Sequence, residues 1–333
     1  MKIIQNHKIT NSLKIDSISK FYVEINSKDE FLDLYEYMKD KDLDSLIIGE
    51  GTNLVPPNFF DGIVIKPNFK NISFCNQKNI VSVGSSVNWH YFVCSCIEKN
   101  ISGFENLSLI PGSVGAAPIQ NIGAYGQEVS NLIEKVHCFD LRTGEFHTLD
   151  NKECKFTYRN SFFKKSSLII YSIDFITNHN DELNLDYESI QKYMTHFKVD
   201  PKSLTAARVS EIICEIRKNT LPDPKIIPNA GSFFKNTKMN KQDINDKIFS
   251  LDKLIIWDLE DGLVKVGAAR LIQLIKDQLP ANNNVKLYEK HALILVSNSF
   301  ASQSEIVEYA NSIKKLVYDN FNVSLEIEPI IVN

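Results

Sequence analysis

The spacing of apolar residues predicts a strand, a helix and a second strand near the start of the chain. Residues 21–25 are typical of a strand, and Ser27 with Glu30 forms a capping box ahead of apolar positions at helical spacing. The apolar run 46–48 then predicts a strand that ends in a tight glycine loop. This segment therefore indicates a β-α-β unit.

The middle of the chain is rich in short apolar runs that predict strands. Residues 63–65, 81–83 and 168–170 are such runs, and one helix is expected near 89–98. Between them, residues 103–126 form a stretch of small residues that holds five of the 13 glycines of the chain. So long a loop inside a compact domain is usually functional.

A helix over about 205–218 leads into Leu221-Pro222-Asp223-Pro224, and this proline pair predicts a domain boundary. Helices and strands alternate after it, up to a long helix capped by Ser302 and Glu305. The alternation over 323–329 predicts a final strand. The pattern as a whole predicts an α+β protein of several lobes.

Composition and charge exclude several classes of function. With 333 residues, 43% of them apolar, the chain can bury a large core in two or three domains. Its net charge of −4 gives no reason to expect a basic face that binds nucleic acid. Because the N-terminus lacks the apolar run of a secretory signal and no stretch of 18 apolar residues occurs, we expect a cytoplasmic protein that does not enter a membrane.

The cysteines and histidines show no spacing that is typical of a metal site. The seven histidines include no HxxxH or HExxH pair, so no metal centre is predicted. The cysteines form no CxxC pair, and we expect free, mostly buried thiols in a reducing compartment. They are Cys75, Cys94, Cys96, Cys138, Cys154 and Cys214.

Two glycine-rich loops are the candidates for binding a cofactor. In the first, Gly49-Glu50-Gly51-Thr52-Asn53, backbone amides can approach a pyrophosphate, although the loop lacks the third glycine of GxGxxG and fits an ordinary turn equally well. The second, residues 110–126, offers a long span without bulky side chains, against which a planar cofactor can lie. Its separated polar groups are Ser113, Gln120 and Asn121.

Five separated motifs resemble the UDP-N-acetylenolpyruvoylglucosamine reductases, in family order, over residues 15–330. They are the two glycine loops, Tyr158-Arg159-Asn160-Ser161-Phe162-Phe163-Lys164, Asn229-Ala230-Gly231-Ser232-Phe233-Phe234-Lys235-Asn236, and Leu325-Glu326-Ile327-Glu328. Leu221-Pro222-Asp223-Pro224-Lys225 also matches, and Leu185-Asp186-Tyr187 resembles the loop tyrosine of the longer subtype of the family.

The resemblance implies a two-lobed FAD-binding fold of the vanillyl-alcohol-oxidase (PCMH) type with a third, α/β substrate-binding domain. The lobes are expected at 1–66, joined by a C-terminal strand at 321–333, and at 67–220, with the substrate domain at 221–320. It also implies a monomeric enzyme of peptidoglycan synthesis that uses NADPH and FAD to reduce UDP-N-acetylglucosamine enolpyruvate to UDP-N-acetylmuramate.

The same resemblance assigns the residues that contact FAD. They are Gly49, Glu50, Gly51, Thr52, Asn53, Pro111, Gly112, Ser113, Gly115, Ala116, Gln120, Asn121 and Gly123. Because residues 111–126 include no histidine or cysteine for covalent attachment, we expect the FAD to be bound non-covalently.

Three residues are expected to carry the reaction by resemblance. Arg159 would stabilise charge that develops beside the substrate carboxylate, a task for which guanidinium suits better than lysine. Glu328 would be its acidic partner and Ser232 the proton donor. Glu326 lies on the same side of a strand as Glu328, so that only the motif favours Glu328.

Tyr125, Tyr158, Tyr187, Lys225, Asn236 and His291 are expected to contact the nucleotide sugar. Where many relatives have a lysine before Leu-Pro, this chain has Thr220, so recognition of the diphosphate is expected to differ. Two other functions remain open at this point. One is a flavoprotein oxidase of the same fold, and the other is a nucleotide-sugar sensor without catalysis.

Overall fold

The computed structural model describes residues 1–177 and 182–333 and divides the chain into two compact units. Unit 1 comprises Met1–His7, Ser19–Glu50 and Asp61–Asn219, and unit 2 comprises Lys8–Ile18, Gly51–Phe60 and Thr220–Asn333. Each unit is thus built from three separate stretches of the chain.

Both units contain strands and helices. The strands are β1 Ile3–Lys8, β2 Ile18–Ile25, β3 Asp44–Ile47, β4 Leu54–Val55, β5 Phe59–Pro67, β6 Ile72–Cys75, β7 Ile80–Gly84, β8 Gly123–Ala124, β9 Gln127–Glu128, β10 Ile133–Asp140, β11 Glu145–Asp150, β12 Leu168–Ile176, β13 Asn229–Ser232, β14 Thr237–Met239, β15 Ile256–Asp258, β16 Val264–Val266, β17 Val285–Tyr288, β18 His291–Ser297 and β19 Ile330–Ile331. The α-helices are α1 Lys28–Met38, α2 Trp89–Ile97, α3 Glu188–Phe197, α4 Ala206–Thr220, α5 Ala268–Ile275 and α6 Gln303–Phe321.

The first sheet of unit 1 has the strand order β1-β2-β5-β3, with β3 parallel to β5. The predicted strand, helix and strand are β2, α1 and β3, which confirms the β-α-β unit. Helix α1 begins at Ser27, whose side chain accepts a hydrogen bond from the Glu30 amide, and it buries Phe31 and Leu34. The Glu30 carboxylate accepts instead from the Asn26 amide at 2.6 Å, so the capping box is only half formed.

The second sheet of unit 1 is antiparallel, in the order β11-β10-β12-β7-β6. Its core includes the apolar side of α2 and the buried residues Phe104, Leu107, Val114 and Ile122 of the glycine-rich stretch. The Trp89 indole donates a hydrogen bond to the Leu107 carbonyl at 2.8 Å. The long stretch of small residues is therefore held in place by apolar side chains that it contributes to this core.

Unit 2 holds the sheets β13-β18-β17 and β14-β16-β15, the pair β19-β4, and helices α5 and α6. Helix α6 begins with a complete capping box, because Ser302 and Glu305 each bond the backbone amide of the other. The core of this unit also takes in Leu13, Ile15 and Val55 from the N-terminal stretches.

The prediction of a strand over 323–329 is wrong. Burial alternates as expected, with Val323 and Leu325 inside and Ser324 and Glu326 outside, but only the isolated bridge between Phe234 and Ile327 pairs this segment. Pro329 has no amide hydrogen to donate. The regular strand β19 begins only after it and runs parallel to β4.

All six cysteines are free, as predicted, and Cys96, Cys138 and Cys154 are buried. Burial raises the pKa of Cys138 and of Cys154 to about 12, which keeps both thiols protonated and unreactive. Within 1–177 and 182–333, no helix has the length and apolar character to cross a membrane. Those residues also include no group of three or more histidine, cysteine or acidic side chains suited to a metal ion.

Candidate functional site

The loop up to residue 126 holds a backbone shape that few residues adopt. Leu109, Asn121 and Tyr125 have φ values of 59°, 46° and 49°, in the left-handed region. Such a conformation costs about 1–3 kcal/mol for each non-glycine residue and persists only where its surroundings impose it. Asn121 shows how, since its amide nitrogen donates to Glu128 at 2.7 Å and its oxygen accepts from the Ser130 amide at 3.0 Å.

The two glycine loops meet within unit 1 at positions where a side chain would not fit. A Cβ atom on Gly49 would lie 2.5 Å from the Ser113 hydroxyl oxygen, and one on Gly115 would lie 2.5 Å from the Ser85 Cβ. The Ser85 hydroxyl is buried and has no hydrogen-bond partner among the residues that the structure describes. The backbones of the two loops therefore pack closely together, and the Ser85 hydroxyl is a polar group available to a ligand. We call this arrangement of Gly49, Ser85, Ser113 and Gly115 the cradle.

The rest of the first loop is held by unit 2. Gly51 has a φ of 65°, a Cβ atom on it would lie 2.0 Å from the Thr10 carbonyl oxygen, and its own carbonyl accepts from the Ser12 amide at 3.0 Å. The Asn53 carbonyl accepts from the Ile330 amide at 3.0 Å. The first two residues of this loop thus belong to the cradle of unit 1, whereas Gly51, Thr52 and Asn53 belong to unit 2.

The remaining residues expected to contact FAD lie along the second loop. The Gly112 carbonyl accepts from the Trp89 amide at 2.9 Å, and a short turn over Val114–Ala116 follows Ser113. Pro111 is exposed and Gln120 is half-buried. The structure brings Ser113 and Gly115 to Gly49, and Asn121 and Gly123 to the turn that holds Arg159.

Arg159 occupies a strained turn that directs its side chain onto the second loop. Thr157 and Asn160 exchange two backbone hydrogen bonds around Tyr158 and Arg159, and Arg159 has a φ of 53°. Its guanidinium donates to the Gly123 carbonyl at 2.7 Å and lies 5.3 Å from the centre of the Tyr158 ring. A Cβ atom on Gly123 would lie 2.9 Å from the Arg159 Nη1, which gives a physical reason for glycine there.

Ser232 and Glu328 lie on adjacent backbone segments of unit 2. Ser232 ends β13, directly before the buried Phe233 and Phe234, and the Glu328 amide donates to the Phe233 carbonyl at 2.9 Å. Glu326 differs from Glu328, because its side chain is 73% exposed and pairs with the Lys235 ammonium at 2.9 Å. The structure therefore separates the two glutamates that the sequence pattern could not.

The expected substrate contacts divide between the units. In unit 1, the rings of Tyr125 and Tyr187 meet nearly at right angles with centres 5.3 Å apart, and Tyr187 directly precedes α3. In unit 2, the Asn236 oxygen accepts from the Ala268 amide at the start of α5, Lys225 is exposed, and His291 begins β18.

One feature of this region was not assigned any role from the sequence. Arg217 hydrogen-bonds the Tyr125 hydroxyl, and its Nε atom is buried. Arg217 follows the buried Ile213 by one helical turn on the same face of α4. The spacing of apolar residues therefore already placed position 217 on the buried face of the helix.

Replacing Gly49 with alanine is expected to weaken FAD binding without unfolding the chain. The added methyl group collides with Ser113, and overpacking of this kind costs about 1–3 kcal/mol, roughly 5–150-fold in affinity. Titration of the apoprotein with FAD, followed by flavin fluorescence, measures the change. Gly49→Ala combined with Ser113→Ala should bind FAD more tightly than Gly49→Ala alone, and a double variant without any recovery would place the cause elsewhere.

Comparisons with known proteins agree with this geometry. Residues 19–150 match the model of an FAD binding domain, and residues 222–332 match the C-terminal domain of UDP-N-acetylenolpyruvoylglucosamine reductase. A solved reductase of that name from Thermus caldophilus has the same fold, with a TM-score of 0.67 at 18% identity over 100% of this chain and 98% of its own. The two units thus contain an FAD-binding domain and a reductase C-terminal domain.

Relatives that align over nearly the whole chain define the family. The UDP-N-acetylenolpyruvoylglucosamine reductase of Bdellovibrio bacteriovorus is 35% identical, with 99% of each chain covered. That of Pseudomonas fluorescens is 33% identical, over 96% of this chain and 95% of its own. The chain belongs to the UDP-N-acetylenolpyruvoylglucosamine reductase family, which confirms the fold class and the family that the motifs predict.

Proposed function

We propose that this protein reduces the enolpyruvyl ether of UDP-N-acetylglucosamine enolpyruvate to the lactyl ether of UDP-N-acetylmuramate, in the cytoplasm and as a monomer, for peptidoglycan synthesis. The observation that carries the proposal is the alignment of family members over nearly the full chain at 33–35% identity. The site geometry adds a cradle for a large cofactor in unit 1 and the Ser232 and Glu328 segments side by side in unit 2.

The cradle fits FAD. Gly49 and Gly115 let the two loops pack directly against Ser113 and Ser85, and Ser85 supplies a buried hydroxyl for a ligand oxygen or nitrogen. FAD bound there, and reduced by NADPH, would supply the hydride. Because residues 111–126 include no histidine or cysteine, the FAD is held without a covalent bond.

Arg159 orients the substrate carboxylate and stabilises charge that develops beside it. Its strained turn and its bond to Gly123 fix the guanidinium before substrate arrives, and a charge that is already oriented needs no reorganisation during the reaction. Glu328 acts on the same developing charge, and Ser232 holds the proton that the carbon beside the carboxylate receives.

The Tyr125 and Tyr187 pair supports a contact with the nucleotide sugar. Tyr187 is 48% exposed, so a ligand can reach its free ring face while the other side contacts Tyr125. Because Leu185-Asp186-Tyr187 resembles the loop tyrosine of the longer subtype, we also assign the chain to that subtype.

The visible spectrum of the purified protein tests the proposal. The protein should be yellow, lose its flavin absorbance on anaerobic addition of NADPH, and regain it on addition of the enolpyruvyl substrate. Acid precipitation should release all of the colour into the supernatant. Colour retained in the pellet would show covalent flavin, and a flavin that NADPH does not reduce would favour the sensor function.

A further inference from the structure

Two cysteine side chains from different helices meet at one histidine in unit 1. Cys94 lies in α2, one helical turn after His90, and Cys214 lies in α4. The Nε2 atom of His90 is 3.8 Å from the Cys94 sulfur and 4.0 Å from the Cys214 sulfur. All three side chains are partly exposed, so a small solute can reach them. Two accessible thiols that share one neighbour form a candidate redox pair.

The imidazole presents an N–H group to both sulfur atoms. Its Nδ1 atom accepts a hydrogen bond from the Leu109 amide at 3.0 Å, so the proton of the neutral ring is on Nε2. Burial, followed by repulsion from Lys218 and Arg217, lowers the pKa of His90, which keeps the ring neutral near pH 7. A hydrogen bond from Nε2 to a sulfur atom favours the thiolate, the form that reacts with an oxidant.

The charges around the two thiols differ. Burial raises the pKa of Cys214, and Lys218 and Arg217 oppose that rise. At Cys94, burial and the nearby Glu98 both raise the pKa. Both thiols are thus mostly protonated and stay reduced until an oxidant is present, and Cys214 is the better placed of the two to ionise.

The pair lies beside the residues that lead into the second glycine loop. The amide of Leu109, whose φ is the left-handed 59°, bonds His90 in α2. The Ser108 hydroxyl bonds the Ser210 hydroxyl of α4 at 2.7 Å. A covalent bond between α2 and α4 at this point would therefore fasten the two helices that hold the start of the loop.

We infer that Cys94 and Cys214 form a redox modification site, at which a hydroperoxide converts the two thiols into a disulfide between α2 and α4. The Cys214 thiolate attacks the hydroperoxide, whose O–O bond breaks, and becomes a sulfenic acid. The Cys94 thiol then attacks that sulfur, the S–S bond forms and water leaves. The thiols lose two electrons and two protons, which convert the hydroperoxide into an alcohol and water. A thiol reductant reverses the bond.

Peptide mapping of the FAD-loaded protein after treatment with hydrogen peroxide tests the inference. Free thiols are blocked with N-ethylmaleimide, and trypsin then gives the peptides 79–99 and 209–217, which contain the two cysteines. Mass spectrometry should find these peptides joined before reduction and separate after it. Peptides that carry only alkylated or over-oxidised thiols, without any cross-link, would overturn the inference.

Single serine variants identify the partners, because peptide 79–99 also contains Cys96. Cys94→Ser should abolish the cross-link and leave Cys214 as a sulfenic acid that dimedone traps, whereas Cys214→Ser should leave Cys94 reduced. Cys75→Ser is the matched control, since Cys75 is a partly exposed thiol in β6, outside this cluster, and its loss should not change the yield. A cross-link that survives Cys94→Ser would assign the bond to Cys96 and refute the proposed pair.

Thermal melting separates a site built into the fold from an accidental cross-link. The disulfide closes a loop of about 120 residues, which restricts the unfolded chain, so the oxidised protein should melt at least about 5 °C higher than the reduced one. Dithiothreitol should restore the parent melting temperature, and peroxide-treated Cys94→Ser should show no rise. A disulfide that lowers the melting temperature would mean that α2 and α4 must separate to form it, which contradicts the inference.

Discussion

Ser232→Ala is expected to bind FAD and to be reduced by NADPH almost as the parent is, while turnover of the enolpyruvyl substrate falls by about 10²–10⁴-fold. Neither of the first two steps needs the hydroxyl group, whereas a carbon that has received hydride needs a proton. The buried Phe233 and Phe234 fix the end of β13 whether or not the hydroxyl is present. Stopped-flow absorbance of the flavin measures reduction and reoxidation separately.

The size of the effect separates a proton donor from a binding group. A lost neutral hydrogen bond costs about 0.5–1.5 kcal/mol, or roughly tenfold at most. Ser232→Cys keeps a donor of similar shape with a more acidic hydrogen, so part of the lost rate should return. If Ser232→Ala is reoxidised within tenfold of the parent rate, Ser232 only binds the substrate.

Arg159→Met and Glu328→Gln are expected to slow reoxidation of the flavin by the enolpyruvyl substrate far more than its reduction by NADPH. In the proposed mechanism both residues act on charge that develops as hydride leaves the flavin, and loss of one such group typically costs about 10²–10³-fold. Stopped-flow measurements of the two half-reactions give the ratio directly.

The structure supplies a control for each variant. Glu326→Gln removes a carboxylate two residues from Glu328, but from an exposed ion pair, so both of its half-reactions should stay near the parent rates. For Arg159→Met, the FAD affinity must be measured as well, because the guanidinium also bonds the Gly123 carbonyl. Equal slowing of both half-reactions would assign Arg159 and Glu328 to folding or to general binding.

The parts of the fold that depend only on residues close together in sequence could be predicted. The starts of α1 and α6 follow from Ser27 and Ser302, whose side chains bond the amide three residues on. The strand predicted over 323–329 fails for the opposite reason. A strand needs a partner, and alternation cannot show that this segment meets the backbone near Phe234 at a single bridge.

The candidate site also has parts that the sequence predicts and parts that only the folded structure shows. Glycine spacing locates the two cofactor loops. The left-handed φ of Arg159 could not be predicted from the sequence, because arginine has no preference for the left-handed region. The motif names Glu328, and only the structure shows that Glu326 is in a surface ion pair. Arg217 is visible as a charge on an apolar helix face, yet its buried Nε is a property of tertiary packing.

The path of the chain constrains how the protein is made. Unit 2 takes core residues from both ends, and the Ser297 hydroxyl bonds the Leu13 carbonyl across 284 positions of sequence. The ribosome therefore releases the N-terminal stretch of this unit long before its partners exist. Leu13 and Ile15 stay exposed while about two hundred residues are added to the chain. Unit 1 therefore has time to fold first, and the folding of unit 2 is a late, slow step.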